Sequence, residues 1–197
     1  MWFIQAWINL GKTAGLWCEI QESIDGLKGN GPDDTMQVTY ELGTKLILQA
    51  GLSKTQSEAI ALQKELISNG KAYDKFVEMV EYQGGNSQDL ENYNQLHQPK
   101  FSKSLIANKS GYIQSMDTYK IGLATVELGC GRKKTTDKVD PTAGIQFNYK
   151  IGDKITDGDI VFRLFNSDKT KLESAYNVLK NSFVIGEQKI EHQLILS

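Results

Sequence analysis

Between positions 129 and 165 the chain reads GCGRKKTTDKVDPTAGIQFNYKIGDKITDGDIVFRLF, and this order of glycines, aspartates and apolar residues admits few folds. Gly129 and Gly131 flank Cys130 where the backbone must turn sharply, because only glycine enters left-handed φ,ψ space without a Cβ penalty. Ile145, Phe147, Tyr149 and Ile151 then alternate apolar with polar, Gly152-Asp153 and Gly158-Asp159 punctuate two turns, and Val161, Phe162, Leu164 and Phe165 form a second apolar run. The pattern predicts two half-buried strands joined through a tight double turn.

Upstream the period changes. Met36, Tyr40, Gly43, Ile47 and Ala50 recur at helical spacing after Pro32-Asp33-Asp34, whose aspartates are expected to cap the helix, and Gly51 closes it. Ser57 leads into Ala59, Leu62 and Leu66 with a stop at Asn69-Gly70, and Tyr73, Phe76, Val77 and Val80 predict a third helix ending at Gly84-Gly85. Residues 86–100 shift to Asn, Gln and Ser and read as a linker. Beyond it, residues 104–107 and 112–116 flank Lys109-Ser110-Gly111 as an expected hairpin, Asp117 is placed to cap a helix running to Gly129, and residues 169–180 carry Leu172, Ala175, Tyr176 and Leu179 on one face. Residues 193–196 are expected to add an edge strand.

The order GxGR, DxVDxxxGI and KIGDKIxxGDxVFxL resembles the C-terminal domain of the thymidine and pyrimidine-nucleoside phosphorylases. Residues 10–51, LGKTAGLWCEIQESIDGLKGNGPDDTMQVTYELGTKLILQAG, are similar to that family's PLGxxxGxxLEVxEAIxxLKGxGPxDL segment leading into a long helix. The resemblance implies an α+β chain: a helical remnant of an α/β catalytic domain over residues 1–85, a linker over 86–102, a mixed α/β hammerhead-like C-terminal domain over 103–183, and a tail over 184–197. Family members are longer, and the KHSTGG-type phosphate loop and base-contacting Arg, Ser and Lys implied by the resemblance do not occur in these 197 residues. The expectation is therefore a fragment, or a diverged start, inactive by itself.

Composition limits the other classes. With 40% hydrophobic and 23% charged residues the chain can bury a core, and a net charge of −2 provides no long-range attraction to a phosphate backbone, so nucleic-acid binding by a basic surface is not expected. Cys18 and Cys130 lack a CxxC partner or histidine-rich surroundings, which argues against zinc and makes a cytoplasmic location the default. The apolar start through Leu10 is too short to span a bilayer and has no preceding basic residue. It reads as a truncated core strand with a tendency to self-associate.

The resemblance also implies a monovalent cation, potassium, held by the main-chain carbonyls of Leu10 and Thr13 and the carboxylate of Glu22. A hard cation prefers such oxygen donors. Read from the residues alone, Glu22 is a solvated helix residue. Thr13 stands where the family usually has Ala, and Leu16-Trp17 where it tends to have Asn-Ala. Residues 129–132 could cradle phosphate in a nest of amides, but the lack of a Walker lysine-serine pair favours a structural turn with Arg132 exposed or paired with Asp137 or Asp140. His97 and His192 lie outside any triad pattern and are expected at the surface.

Three functional readings follow. The first is the family reaction, a pentosyl transfer in which phosphate attacks the anomeric carbon of a pyrimidine (deoxy)nucleoside to give base and (deoxy)ribose 1-phosphate, in a homodimer and with no cofactor required for the chemistry. A second is a non-catalytic hammerhead module, similar to biotinyl and lipoyl carriers but without their lysine in an MKM or DKA setting. The third keeps the fold but changes the substrate, as in archaeal nucleotide phosphorylases.

Overall fold

In the computed structural model, which describes residues 3–4, 10–191 and 194–196, the chain divides into two units. One comprises Met1–Ile20 and His97–Ser197, the other Gln21–Leu96. The fold class is α+β, and every strand pair among the described residues is antiparallel.

The chain begins with β1 (Phe3–Ile4), β2 (Thr13–Gly15) and helix α1 (Trp17–Leu27), whose first residues belong to one unit and the remainder to the other. Residues 1, 2 and 5–9 of the expected apolar strand lie outside the described residues.

In the Gln21–Leu96 unit, α2 (Asp33–Gln49), α3 (Gln56–Ser68) and α4 (Lys71–Tyr82) follow the predicted periodicity. The expected capping by aspartate comes from inside the first turn of α2, where the Asp34 carboxylate accepts the Thr35 amide at 2.8 Å. Pro32 is the N-cap, with φ fixed at −60° and no side-chain bond, so Asp33 and Asp34 fall inside the first turn, where their charge answers the helix dipole. Gly51, at φ +70°, follows the end of that helix. Thr55, two residues before the predicted Ser57, starts α3 through a capping box: its hydroxyl accepts the Glu58 amide at 3.2 Å and the Glu58 carboxylate accepts the Thr55 amide at 3.1 Å. Gln63 then ties α3 to α2, its amide donating to the Tyr40 carbonyl at 3.1 Å and to the Thr44 hydroxyl at 3.0 Å.

Residues 86–96, expected as linker, contain two short 3₁₀ turns, Ser87–Leu90 and Tyr93–Gln95, with Leu90 and Tyr93 buried. Tyr93 donates its hydroxyl to Asp25 at 2.5 Å, and the Lys28 ammonium stands over both the Tyr73 and Tyr93 rings at 4.5 and 4.7 Å.

In the other unit, β3 (Phe101–Ile106), β4 (Gly111–Met116), α5 (Thr118–Leu128), β5 (Gly144–Phe147), β6 (Lys154–Ile155), β7 (Ile160–Asn166), α6 (Lys169–Leu179), β8 (Phe183–Gly186) and β9 (Ile195–Leu196) complete the order. A four-stranded sheet runs β2-β5-β7-β3, a three-stranded one β6-β4-β8, and β1 pairs with β9. The predicted pairing across the double turn is present, with Ile145 opposite Leu164 and Phe147 opposite Phe162.

The two turns are built alike. Asp153 accepts the Lys150 amide at 2.7 Å and Asp159 the Thr156 amide at 2.8 Å, with Gly152 and Gly158 at φ +90° and +88° between them. These turns also explain why the expected β3–β4 hairpin is absent. Ala107 donates to the Asp159 carbonyl and accepts from the Gly158 amide, while Ile113 does the same with Asp153 and Gly152. Backbone groups that a hairpin would have paired are taken by the two turns, so β3 and β4 enter different sheets.

Phe162, fully buried, meets Phe147 and Phe183 edge-on at 5.6 and 5.7 Å. Leu128, Leu164 and Leu179 are also fully buried, each worth roughly 1.5–3 kcal/mol relative to exposure. Asp117 caps α5 as predicted, accepting the Lys120 amide at 3.0 Å, and Asp168 caps α6 through the Thr170 amide at 2.8 Å. No helix among the described residues is long and apolar enough to cross a membrane.

Candidate functional site

The segment around Gly11 is held by contacts from far along the chain. Gly11, buried and at φ +74°, presents its carbonyl to the Lys150 ammonium, and the Lys12 carbonyl accepts the Phe147 amide at 2.7 Å. That bond makes positions 12 and 147 a hydrogen-bonded pair, so Thr13 and Gln146 form the alternate, non-hydrogen-bonded type of antiparallel pair. The Thr13 carbonyl therefore points away from β5, off the edge of the four-stranded sheet where β2 lies.

Two residues further on, the Gly15 amide donates to the Glu19 carboxylate at 2.6 Å, fixing the entry into α1. A Cβ at either Gly15 or Gly144 would stand 2.7 Å from the Cys18 sulfur, so both glycines are needed for the buried thiol to fit. Burial pushes the Cys18 thiol up to about 11, partly offset by a hydrogen bond with the Thr13 side chain. Cys130 is raised to about 12, mainly by burial and then by the proximity of Cys18, Glu19 and Asp140.

Of the residues expected to hold a cation, Leu10 and Thr13 are half-buried and belong to the Met1–Ile20 segment, whereas Glu22 belongs to the other unit. Glu22 is half-buried and lines a groove of about 270 Å³ with Thr35, Met36 and Phe76. Among the described residues no group of three or more His, Cys, Asp or Glu could hold a metal ion.

The loop at residues 129–132 is a structural turn. Gly129 ends α5 at φ +91°, the Cys130 amide returns to the Thr125 carbonyl at 2.9 Å, and the Gly129 carbonyl accepts the Asp140 amide at 2.9 Å. Arg132 is exposed, and among the described residues it pairs with neither Asp137 nor Asp140. Asp137 is occupied by the amides of Lys133 and Lys134 at 3.0 and 2.9 Å, and Asp140 by the amide and hydroxyl of Thr142. His97 is exposed as expected, at φ +50°, with its ring edge-on to Trp17 at 5.1 Å. His192 lies outside the described residues. The bond from Lys150 to Gly11 spans 139 positions and had no local signal in the sequence.

Comparison with known proteins points in one direction. Residues 112–186 match the family model described as the pyrimidine nucleoside phosphorylase C-terminal domain. A thymidine phosphorylase of Metamycoplasma hominis is 34% identical over 188 residues, covering 95% of this chain and 69% of that protein. A pyrimidine-nucleoside phosphorylase of Staphylococcus aureus is 33% identical over 186 residues, covering 94% of this chain and 43% of that protein.

Proposed function

Since the chain belongs to the thymidine and pyrimidine-nucleoside phosphorylase family, we propose that it serves the reaction that those names describe, transfer of a pentosyl group from a pyrimidine (deoxy)nucleoside to phosphate. The observation that carries this reading is the match to the Metamycoplasma hominis thymidine phosphorylase over 95% of the chain. In that reaction phosphate attacks the anomeric carbon, and the base departs with the bond's electron pair. The chemistry needs cationic and hydrogen-bonding groups on phosphate and on the departing base, with water excluded.

These 197 residues contain no KHSTGG-type stretch, so the part proposed for this chain is support: the phosphate and base contacts come from a catalytic segment with that motif. We further propose that the working protein is a cytoplasmic homodimer that acts on free nucleosides and binds no nucleic acid. Potassium is the proposed cation, with Leu10 and Thr13 carbonyls and the Glu22 carboxylate as its donors. When bound, such an ion would hold the turn around Gly11 by charge.

Phosphate-dependent release of thymine from thymidine, or uracil from uridine, tests the reading. The chain alone is expected to release neither base. Fused to the segment of the Metamycoplasma hominis protein that it does not match, it is expected to release base only when phosphate is present. A folded fusion that binds nucleoside and phosphate but releases no base would reject the proposal.

A further inference from the structure

We propose that the cleft beside the Gly129–Gly131 turn binds a small phosphomonoester anion. The cleft, of about 490 Å³, lies between the end of α5, the loop that follows it and the first turns of α6. Its volume is within the range of small-molecule sites and exceeds what a bare phosphate needs.

The charge balance favours an anion. Five charged side chains line the cleft: Lys133, Lys138, Lys171, Glu127 and Asp137. Glu127 is matched by Lys133 at 2.6 Å, and the Asp137 carboxylate is occupied by the backbone amides of Lys133 and Lys134. Lys138 and Lys171 have no acidic partner among the described residues. Three lysines against two carboxylates leave the lining one positive charge in surplus, in a chain whose overall net charge is −2, so the surplus is a local feature and not a general basic surface.

Lys171 is not extended into solvent. It is half-buried, and a Cβ at Gly129 would stand 2.9 Å from its ammonium nitrogen. The glycine at φ +91° therefore both ends α5 and leaves room for a lysine folded over the turn. Beside it, the amides of Gly131 and Arg132 have no acceptor among the described residues. Two ammonium groups, the unpaired Gly131 amide and the hydroxyls of Thr170 and Ser174 line the cleft and give more donors than a carboxylate with two oxygens would use. A phosphate with three terminal oxygens and up to two charges matches that number. The remaining volume leaves room for a compact organic portion beside the phosphate. The first-turn amides of α6 do not contribute, because Asp168 accepts from Thr170 and Lys171.

This inference does not depend on the reaction proposed above. It is tested with the full chain labelled with ¹⁵N and titrated with ribose 5-phosphate, inorganic phosphate and ribose at ionic strength fixed with chloride. Ribose 5-phosphate is expected to shift the amides of Gly131, Arg132 and Lys171 to saturation, more tightly than inorganic phosphate, while ribose alone shifts none. Lys138→Gln and Lys171→Gln each remove one charge-assisted contact and should weaken binding about ten-fold, whereas Lys138→Arg and Lys171→Arg retain it. Both side chains are at the surface, so an unchanged spectrum away from the cleft shows that each variant is folded. Absence of saturation at these amides, equal binding of inorganic phosphate, or unaltered affinity in the Lys138→Gln/Lys171→Gln variant would overturn the proposal.

Discussion

The side-chain amide of Asn166, at the end of β7, donates to the main-chain carbonyl of Leu128, the last residue of α5, at 2.5 Å. Its carbonyl oxygen accepts the Asp168 amide at 2.5 Å, so one fully buried side chain ties a strand, a helix and the entry to the next helix. Asn166→Leu leaves the Leu128 carbonyl without that donor and should lower the stability of this unit by about 1–3 kcal/mol. Ser182 is the contrasting case: its buried hydroxyl has no partner among the described residues. Ser182→Ala is expected to be neutral or stabilising, and urea midpoints of the two variants that move together would contradict this distinction.

The two thiols should be inert near neutrality. From an ordinary value of 9.0, burial raises Cys18 to about 11 and Cys130 to about 12, so at pH 8 the thiolate fraction of Cys18 is roughly a hundred-fold below that of a free thiol. Iodoacetamide should modify both slowly in the folded chain and quickly in denaturant. The folded state holds these protons more tightly than the unfolded state. Stability is therefore full below pH 9.0 and declines as pH rises through the folded values near 11 and 12. Rapid native alkylation at pH 8 would show that the thiols are accessible and ionised.

The paired turns give a graded prediction. Gly158→Ala incurs only the strain of φ +88°, since nothing lies within 4 Å of the added methyl, and should cost about 1 kcal/mol. Gly152→Ala has the same strain at φ +90° and also places its Cβ 2.6 Å from the Ile190 carbonyl oxygen. The Gly152 variant should be clearly the less stable of the two in thermal unfolding. Equal losses would mean that the contact with Ile190 relaxes without cost.

The capping box of α3 is sensitive to acid. The backbone amides of Lys54 and Thr55 hold the Glu58 carboxyl below its ordinary value of 4.5. Its contribution is present above pH 4.5 and lost as pH falls through the lower folded value. Amide exchange at the start of α3 should accelerate on acidification, and Thr55→Ala should reproduce the effect at neutral pH with a loss of about 1 kcal/mol. Exchange in this turn that ignores both changes would rule out the box as its support.

Helices and turns were legible where the signal is local. Asp117 before α5, Gly129 after it and the two Gly-Asp turns each act within a few residues, and each is found where its pattern placed it. Pairing was less legible because it depends on remote competitors. Ala107 and Ile113 resemble hairpin shoulders in sequence, yet the turn residues that take their backbone groups come about forty to fifty positions later. At the candidate site, Leu10, Thr13 and Glu22 came from family resemblance. The Lys150 contact with Gly11 and the fit of Cys18 against Gly15 and Gly144 arise only from tertiary packing. The unpaired lysines of the cleft were equally hidden, since a sequence cannot show which cations already have partners.

Gln63 has a mechanical role within the helical unit. A Cβ at Gly43 would lie 2.0 Å from the Gln63 side-chain oxygen, so the missing side chain leaves a notch in α2 that the glutamine fills. Sliding α3 along α2 by one turn, about 5.4 Å, would break both bonds to Tyr40 and Thr44 and drive Gln63 into a position that has a side chain. The residue acts as a pin in a slot that locks the axial register of the two helices.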